Sequence, residues 1–242
     1  MQYVTPAGRV FALYQDIVRT PHLLVAGATG SGKSVLINSI ISTLIYDSPA
    51  RVRFVLLDPK MTELTQWEHL PHTIRYAYEQ PEMVKALTET IEIMENRLRY
   101  LRSCGERCWT GSQIYVVIDE LADLLTTQKN TVVPLLQRIM QLGRAAGIHV
   151  IAGTQCLLSS VLPTPIKCNF TSSVCLRVAT KQQSRFIIDQ AGAESFPDPK
   201  KEGKALAFLR SGADLSKFTV YRVPDEEQQR LLRWWADPAH TI

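Results

Sequence analysis

The sequence predicts an α/β fold with a mostly parallel central sheet and helices on both faces. Short apolar runs alternate with segments of helical length along the chain. Such runs are typical of strands buried on both faces, and their alternation with helices favours parallel pairing. The later strands follow one another more closely, so we expect an antiparallel edge there. We expect one domain over residues 1–242, with a lead-in at 1–20 and a short tail at 236–242.

Each element is predicted from its own run of residues. Aliphatic and β-branched residues between turn residues predict strands at 22–26, 52–57, 114–118, 149–152, 174–178, 205–209 and 218–223. Helices are predicted at 35–46, 81–101, 132–146, 182–189 and 225–235. Pro81 suits the first turn of its helix. The last helix begins with acidic residues and carries arginines later, as its dipole favours.

The composition excludes several classes of protein. Of 242 residues, 45% are hydrophobic and 21% charged, so the chain is neither disordered nor collagen-like. No apolar run approaches the roughly 18 residues of a membrane span, and no signal peptide is evident, so we expect no direct membrane insertion. The C-x3-C pair of Cys104 and Cys108 lacks the further ligands of a zinc site, which indicates reduced thiols and a cytoplasmic location. The net charge of +4 is compatible with nucleic-acid binding.

A phosphate-binding loop follows the first predicted strand. Residues 27–34 fit G-x-x-x-x-G-K-[S/T], and a predicted helix begins directly after them. The glycines let backbone N–H groups point at phosphate oxygens, and the helix N-terminus adds positive potential. Lys33 is expected at the β- and γ-phosphates and Ser34 at Mg²⁺. The alternative is a glycine-rich turn with a solvated lysine. The expected ATP contacts are Gly27, Ala28, Thr29, Gly30, Ser31, Gly32, Lys33, Ser34 and Val35.

Polar residues end three other predicted strands. Asp119 follows a buried strand and is expected to hold Mg²⁺, while Glu120 is expected to deprotonate the attacking water. The alternative is a solvated acidic pair. Gln155 ends the next strand, either as a contact to the γ-phosphate and the attacking water or as an ordinary polar strand end. Asp58 is either a residue behind the metal site or a simple strand cap.

Together these motifs resemble the motor domain of the FtsK/SpoIIIE family of DNA translocases, in the FtsK–HerA branch of P-loop ATPases. The resemblance covers roughly residues 8–235 and includes the phosphate-binding loop and the Asp119-Glu120-Leu121-Ala122-Asp123 block. Other matching runs are Leu57-Asp58-Pro59-Lys60, Leu70-Pro71-His72, Met94-Glu95-Asn96-Arg97, Arg144-Ala145-Ala146-Gly147-Ile148-His149 and Asp189-Gln190-Ala191-Gly192-Ala193-Glu194.

The resemblance implies a RecA-like fold and a hexameric ring around DNA, duplex in preference to single strands, with ATP bound between subunits. It implies that Arg144 is an arginine finger for the neighbour's ATP, where it joins Glu120 and Gln155 as a catalytic residue. The alternative for Arg144 is a solvated arginine at a helix end. The resemblance also implies that Lys181 and Arg185 lie in a pore loop and hold DNA phosphates. Their alternative is an ordinary basic helix start.

The leading expectation is therefore an ATP-driven DNA translocase for chromosome segregation, conjugative transfer, or mobilisation of a phage or plasmid. The chain is interpreted as a minimal member or an excised motor domain, cytoplasmic, or tethered to a membrane through a partner or a further N-terminal region. Departures from the family affect the DNA side: Cys156 and Ser173 stand where arginines are usual, and residues 195–202 replace a Gly- and Met-containing segment. Two alternatives stay open, an FtsK-like ATPase for protein export and a nucleotide-binding adaptor with little motor activity.

Overall fold

One sheet of ten strands forms the centre of the part of the chain that the structure describes. The structure is a computed structural model, and it describes residues 2–4, 10–12, 16 and 20–240. The strands are β1 Gln2–Val4, β2 Val10–Ala12, β3 His22–Ala26, β4 Val52–Leu57, β5 Thr73–Ala77, β6 Gln113–Ile118, β7 Ile148–Thr154, β8 Ser172–Cys175, β9 Leu206–Ser211 and β10 Asp214–Thr219.

The helices lie between these strands and after the last of them. The α-helices are α1 Lys33–Leu44, α2 Gln80–Cys104, α3 Leu121–Thr127, α4 Lys129–Leu142, α5 Thr164–Lys167, α6 Lys181–Ile188, α7 Pro199–Glu202 and α8 Asp225–Ala236. Short 3-10 turns lie at Thr65–Trp67, Ala193–Ser195 and Pro238–His240. None of the helices in the described residues is long and apolar enough to cross a membrane.

The strand order is β2-β1-β10-β9-β8-β3-β7-β6-β4-β5, and it divides the sheet into two parts. From β8 to β5 all neighbouring strands are parallel. From β8 to β2 the pairing is antiparallel. The predicted mostly parallel sheet and its antiparallel edge are both confirmed. Because β3, β4, β6 and β7 run side by side, their carboxyl ends meet at one edge of the sheet.

Helices cover both faces of the sheet, as predicted. One core packs the apolar sides of α2 and α4, including Met83, Met94 and Leu136, against the sheet. The other packs α1 and α8 against the opposite face, through residues such as Ile41 and Trp235. Burial of apolar surface on both faces is the main stabilising term for such a layered domain.

Several predicted boundaries are wrong, and glycines explain two of them. Helix α4 spans Lys129–Leu142 instead of 132–146, because residues 143–147 form a turn that closes at Gly147, with φ 67°, and the Ile148 amide then donates to the Gly143 carbonyl. The last strand begins at residue 214 because a tight turn at Gly212, with φ 60°, pairs Asp214 with Ser211 and so sets the hairpin register. Helix α1 starts two residues earlier than expected, at Lys33, and β8 spans Ser172–Cys175 instead of 174–178. Strand β5, Thr73–Ala77, is not among the predicted strands. Most of the predicted lead-in at 1–20 lies outside the described residues.

Candidate active site

The loop between β3 and α1 has the backbone that a phosphate-binding loop needs. Gly30 and Gly32 have φ values of 75° and 99°, which side chains other than glycine rarely adopt. A β-carbon at Gly27 would lie 2.4 Å from Ser31 Oγ, so the loop closes too tightly for a side chain there. Helix α1 begins at Lys33, and its N-terminus therefore faces the inside of the loop.

Backbone hydrogen bonds join this loop to two neighbouring strand ends. The Gly27 amide donates to the Thr154 carbonyl at 3.2 Å, and the Ala28 amide donates to the Arg177 carbonyl at 2.9 Å. Ser31 is buried, and its Oγ has no hydrogen-bond partner in the described part of the chain. An unpaired buried hydroxyl costs free energy, and a phosphate oxygen in the loop would accept its hydrogen bond. The loop therefore fits a bound phosphate.

Lys33 is buried and reaches the end of β6. Its Nζ donates to Asp119 Oδ1 at 2.8 Å and to the Asp119 carbonyl at 2.6 Å. Both side chains are nearly inaccessible, at 4% and 3% exposure, so the pair is desolvated. A β-carbon at Gly153 would stand 2.3 Å from the Asp119 carbonyl oxygen and 3.0 Å from Lys33 Nζ. Close approach of β6 and β7 at this point therefore depends on glycine at 153.

Glu120 lies beside the end of β7. Its two carboxylate oxygens accept hydrogen bonds from the Gln155 amide at 3.0 and 3.2 Å. Burial raises the pKa of Glu120, and the hydrogen bond from Gln155 opposes that shift. A carboxylate with a raised pKa is a better proton acceptor at neutral pH. The Gln155 Oε1 in turn accepts a hydrogen bond from Thr29 Oγ1 at 2.7 Å. Glu120, Gln155 and the phosphate-binding loop thus form one connected group.

The residues expected at Mg²⁺ have suitable chemistry for it. Ser34 lies in the first turn of α1, and Asp119 contacts the preceding Lys33. A hydroxyl and a carboxylate are hard oxygen ligands, and Mg²⁺ usually takes only a few protein ligands together with phosphate oxygens and water. The described residues contain no group of three or more His, Cys, Asp or Glu that could hold a metal by protein ligands alone.

Asp58 has a local structural role. Its Oδ1 accepts from the Lys60 amide at 3.3 Å, and its Oδ2 accepts from the Glu63 and Leu64 amides at 3.1 and 2.9 Å. These three hydrogen bonds hold the loop after β4. Of the two interpretations of Asp58, the structure therefore favours a strand cap over a residue behind the metal site.

Arg144 lies at the opposite edge of the sheet from the phosphate-binding loop. It is exposed in the turn between α4 and β7, directly before the amino end of β7, whereas Gln155 follows the carboxyl end. Strand β7 has seven residues. At about 3.3 Å per residue the strand separates its ends by roughly 20 Å, more than an arginine side chain spans. Arg144 is therefore too far away to act on a phosphate bound in its own subunit.

The turn that carries Arg144 is held by a buried arginine on α2. Arg97 Nη1 donates to the Ala146 carbonyl at 2.8 Å and lies 3.4 Å from the Gly147 carbonyl. Arg97 also stacks on Trp109, with its guanidinium carbon 4.6 Å from the ring centroid. The Trp109 amide donates to the Ala145 carbonyl at 2.8 Å. Three consecutive carbonyls after Arg144 are therefore contacted by residues from outside the turn.

Lys181 and Arg185 share the exposed side of α6. The helix starts with a capping box, in which Thr180 and Gln183 exchange side-chain to backbone hydrogen bonds. Lys181 and Arg185 are one helical turn apart and both are exposed. This placement leaves both cations available to an anionic ligand, and it does not bring them into the group around Lys33.

Arg210 lies beside Ser173, one of the two positions at which an arginine was expected from the family resemblance. Ser173 on β8 pairs in register with Arg210 on β9. The Arg210 guanidinium contacts the Asp189 carboxylate, which also lies 3.7 Å from Lys167 Nζ. Arg210 is therefore engaged with a carboxylate. Cys156, the other departure, follows Gln155 in the loop after β7 and is partly buried.

The segment that replaces the Gly- and Met-containing run packs against the phosphate-binding loop. A β-carbon at Gly30 would stand 3.3 Å from Lys200 Cε and 3.8 Å from its Nζ. Asp198 caps α7 by accepting from the Lys200 amide at 3.0 Å and lies 3.6 Å from Arg177 Nη1. Since the Arg177 carbonyl binds the loop through Ala28, α7 and the loop share a support.

Most residues of this group are predictable from the sequence, and the residues that support it are not. The residues 27–34, Asp119, Glu120 and Gln155 come together at the carboxyl edge of the sheet. Val35 lies one residue beyond them on α1 and is exposed. Arg97, Trp109 and Lys200 were not expected near any site. The available signal is the position of Arg97, three residues after Met94 and four before Leu101, which places a charged residue on the predicted apolar face of the helix.

The fold and this group of residues define a P-loop ATPase. The pCW3 conjugation coupling protein TcpA has a similar structure, with a TM-score of 0.79 and 24% identity over 96% of this chain and 69% of TcpA. EssC from Geobacillus thermodenitrificans, ATPases 2 and 3, has a TM-score of 0.80 and 16% identity over 96% of this chain and 46% of that one. At these identities the similarity shows the shared fold.

Comparison of the sequence with known proteins identifies the family of this ATPase. The FtsK/SpoIIIE family model matches residues 7–112. A protein named DNA translocase FtsK from Leptospira interrogans is 37% identical over 90% of this chain, and one from Rickettsia typhi is 35% identical over 75% of it. The chain belongs to the FtsK/SpoIIIE family. It spans 25% and 30% of the length of these two relatives.

Proposed function

We propose that this chain is the ATP-hydrolysing motor region of a DNA translocase. The observation that carries the proposal is the connected group at the carboxyl edge of the sheet, in which the loop lysine, an acidic pair and a polar strand end lie in contact. The similarity to proteins named DNA translocase FtsK supports DNA as the substrate that is moved. The preference for a duplex over a single strand is what the family resemblance implies.

Each residue around the phosphate-binding loop has a separate role in ATP hydrolysis. The amides of residues 27–34 and Lys33 bind the phosphates, and Lys33 exchanges its contact with Asp119 for the β- and γ-phosphates. Ser34 and Asp119 would hold Mg²⁺, which neutralises charge on the phosphates when bound. Glu120 takes a proton from the attacking water, and its carboxylate is oriented by the Gln155 amide. Gln155 links the γ-phosphate to the loop after β7.

Arg144 completes the site of a neighbouring subunit. Its exposure and its distance from the loop of its own chain support a role in trans. An arginine at the transferring phosphoryl group contributes about 10³–10⁵ in rate in related chemistry. The active form is therefore an oligomeric ring, for which six subunits is the family expectation, with ATP at each subunit interface.

DNA contacts are assigned to Lys181 and Arg185. Both cations are exposed on one side of α6 and would bind phosphates without reading sequence. The test is the salt dependence of duplex binding by the Lys181→Met/Arg185→Met double variant. We expect uniformly weaker binding and a salt slope shallower by about 1 for each lost phosphate contact. The matched control is Lys85→Met, which removes an exposed lysine from α2 and leaves the slope unchanged.

Steady-state ATP hydrolysis tests the proposed activity. Turnover is measured with no DNA, with duplex DNA and with single-stranded DNA, and Glu120→Gln is the control for contaminating ATPases. Stimulation of several-fold by duplex supports the proposal, and stronger stimulation by single strands would assign the motor to single-strand transfer. Slow turnover that ignores both DNAs would contradict a DNA motor and favour the adaptor. Stimulation by an export-substrate peptide alone would favour the protein-export ATPase.

A further inference from the structure

The turn that carries Arg144 is supported by Arg97, a charged residue that is buried. Arg97 is 9% exposed, and no carboxylate in the described part of the chain pairs with it. Burial lowers the pKa of Arg97 to about 10. A buried charge without an ionic partner is costly, and an apolar residue would pack the same space at lower cost. The guanidinium must therefore contribute something that an apolar side chain cannot.

The contacts of Arg97 show what that contribution is. Its polar partners are the Ala146 and Gly147 carbonyls and Ser112 Oγ, the last at 3.2 Å. The two carbonyls belong to the turn between α4 and β7, and their oxygens carry the partial negative charge that a guanidinium binds. Arg97 thus holds the backbone two and three residues after Arg144, and its own guanidinium lies over the Trp109 ring.

Residues of the segment 109–114 also contact the end of the turn, at Gly147. The Trp109 Nε1 donates to the Ser112 carbonyl at 3.1 Å, and the Ile114 amide donates to the Gly147 carbonyl at 2.9 Å. A β-carbon at Gly147 would stand 2.9 Å from Trp109 Cδ1, so the indole packs directly on the turn. The Arg144 side chain itself remains exposed on this rigid base.

We infer that Arg97 and Trp109 are positioning residues for catalysis at the neighbouring subunit, because they fix the turn from which Arg144 reaches that subunit's ATP. The inference rests on the proposed role of Arg144 in trans. Arg97 acts through the turn and does not touch ATP. Misplacement of a catalytic group by about 1 Å can cost about 10²-fold in rate. Loss of Arg97 is therefore expected to lower kcat in the neighbour's site and to leave the KM for ATP, set by the chain's own loop, nearly unchanged.

The test uses mixtures of two inactive variants. Arg97→Met keeps its own loop and Glu120 but misplaces its Arg144, while Glu120→Gln lacks the base but presents Arg144 normally. Each variant alone is expected to hydrolyse ATP about 10²-fold more slowly than the unchanged chain. Mixed rings place the active loop of one variant against the intact Arg144 of the other, so the mixture regains activity well above either component. A merely structural defect in Arg97→Met would not be repaired by a partner.

Three controls make the result decisive. Arg144→Ala mixed with Glu120→Gln is the direct test of the arginine in trans. Arg99→Met removes an exposed arginine two positions along the same helix and should leave kcat unchanged. Arg97→Lys keeps the charge without the planar fork and is expected to give an intermediate kcat, so it carries the test if Arg97→Met does not fold.

The outcomes separate the inference from the proposed function. Recovery of activity in both mixtures, Arg97→Met with Glu120→Gln and Arg144→Ala with Glu120→Gln, supports both the positioning role of Arg97 and the action of Arg144 in trans. Recovery with Arg144→Ala but not with the Arg97 variants, or a normal kcat in a folded Arg97→Met, overturns the positioning role alone. No recovery with Arg144→Ala overturns the arginine in trans and the inference with it.

Discussion

Lys33 and Asp119 form a buried ion pair between the first turn of α1 and the end of β6, with 2.8 Å between Nζ and Oδ1. This contact holds the phosphate-binding lysine beside the acidic strand end. It also couples the stability of the fold to the chemistry of the site, because neither charge has access to water.

The first prediction concerns this pair. Lys33→Met leaves the Asp119 carboxylate buried without its cation and should lower the free energy of unfolding by about 3–5 kcal/mol. The double variant Lys33→Met/Asp119→Leu removes both charges and should be less destabilised than Lys33→Met alone. Urea unfolding of the single and double variants measures this. Additive losses in the double variant would show that the two charges are not coupled.

A second prediction follows from the buried Glu120. Burial raises the pKa of Glu120, so the folded state binds its proton more tightly than the unfolded chain does, and stability falls as the pH rises from the ordinary glutamate range through the raised pKa. Glu120→Gln should therefore be more stable than the unchanged chain at pH 7–8, and the difference should vanish as the pH falls below the ordinary glutamate range. The same variant should lose about 10²–10⁴-fold in kcat. Equal stability of the two proteins at every pH would contradict the account of Glu120.

His22 gives a third prediction, about acid stability. Its Nε2 lies 2.9 Å from the Met140 carbonyl and its Nδ1 accepts from the Val150 amide at 3.2 Å, so the buried ring is neutral. Burial lowers the pKa of His22 from 6.5 to about 4. The folded state therefore binds fewer protons, and up to about 3 kcal/mol of stability is lost as the pH falls from 6.5 toward 4.

The control for this prediction is a second histidine. His22→Gln can keep both hydrogen bonds without titrating and should lose this part of the acid sensitivity. His69 is exposed, and His69→Gln should retain it. Unfolding by urea at several pH values measures both. A His22→Gln protein with unchanged acid sensitivity would show that His22 does not govern it.

The strand ends could be predicted from the sequence because each is a local pattern. Residues 27–34 combine a glycine-rich turn with a following helix, and Ile114–Ile118 is an apolar run closed by two carboxylates. Parallel order then requires these ends to meet at one edge. The supports of the site are different, because Arg97 bonds carbonyls about fifty positions away in sequence. No local spacing encodes such a contact. The hairpin boundaries likewise depend on a register that Gly212 sets.

A fourth prediction concerns Lys200, whose ammonium lies over the phosphate-binding loop at Gly30. The Lys200 side chain is exposed, and a nearby anionic phosphate would be attracted to it. Lys200→Met should weaken binding of ATPγS a few-fold, as an exposed charge interaction of about 0.2–1 kcal/mol implies. Lys201→Met, one position along the same short helix, is the matched control and should leave the affinity unchanged. Equal effects of the two substitutions would point to general surface charge instead.

Turnover per subunit as a function of protein concentration, with duplex DNA present, tests the central claim most directly. Mass photometry of the same samples identifies the concentrations at which the chain is monomeric. Because Arg144 lies at the edge of the sheet opposite its own phosphate-binding loop, we expect turnover per subunit to be low in monomers and to rise to a plateau as rings assemble. Full DNA-stimulated turnover in samples that contain only monomers would contradict an ATP site shared between subunits.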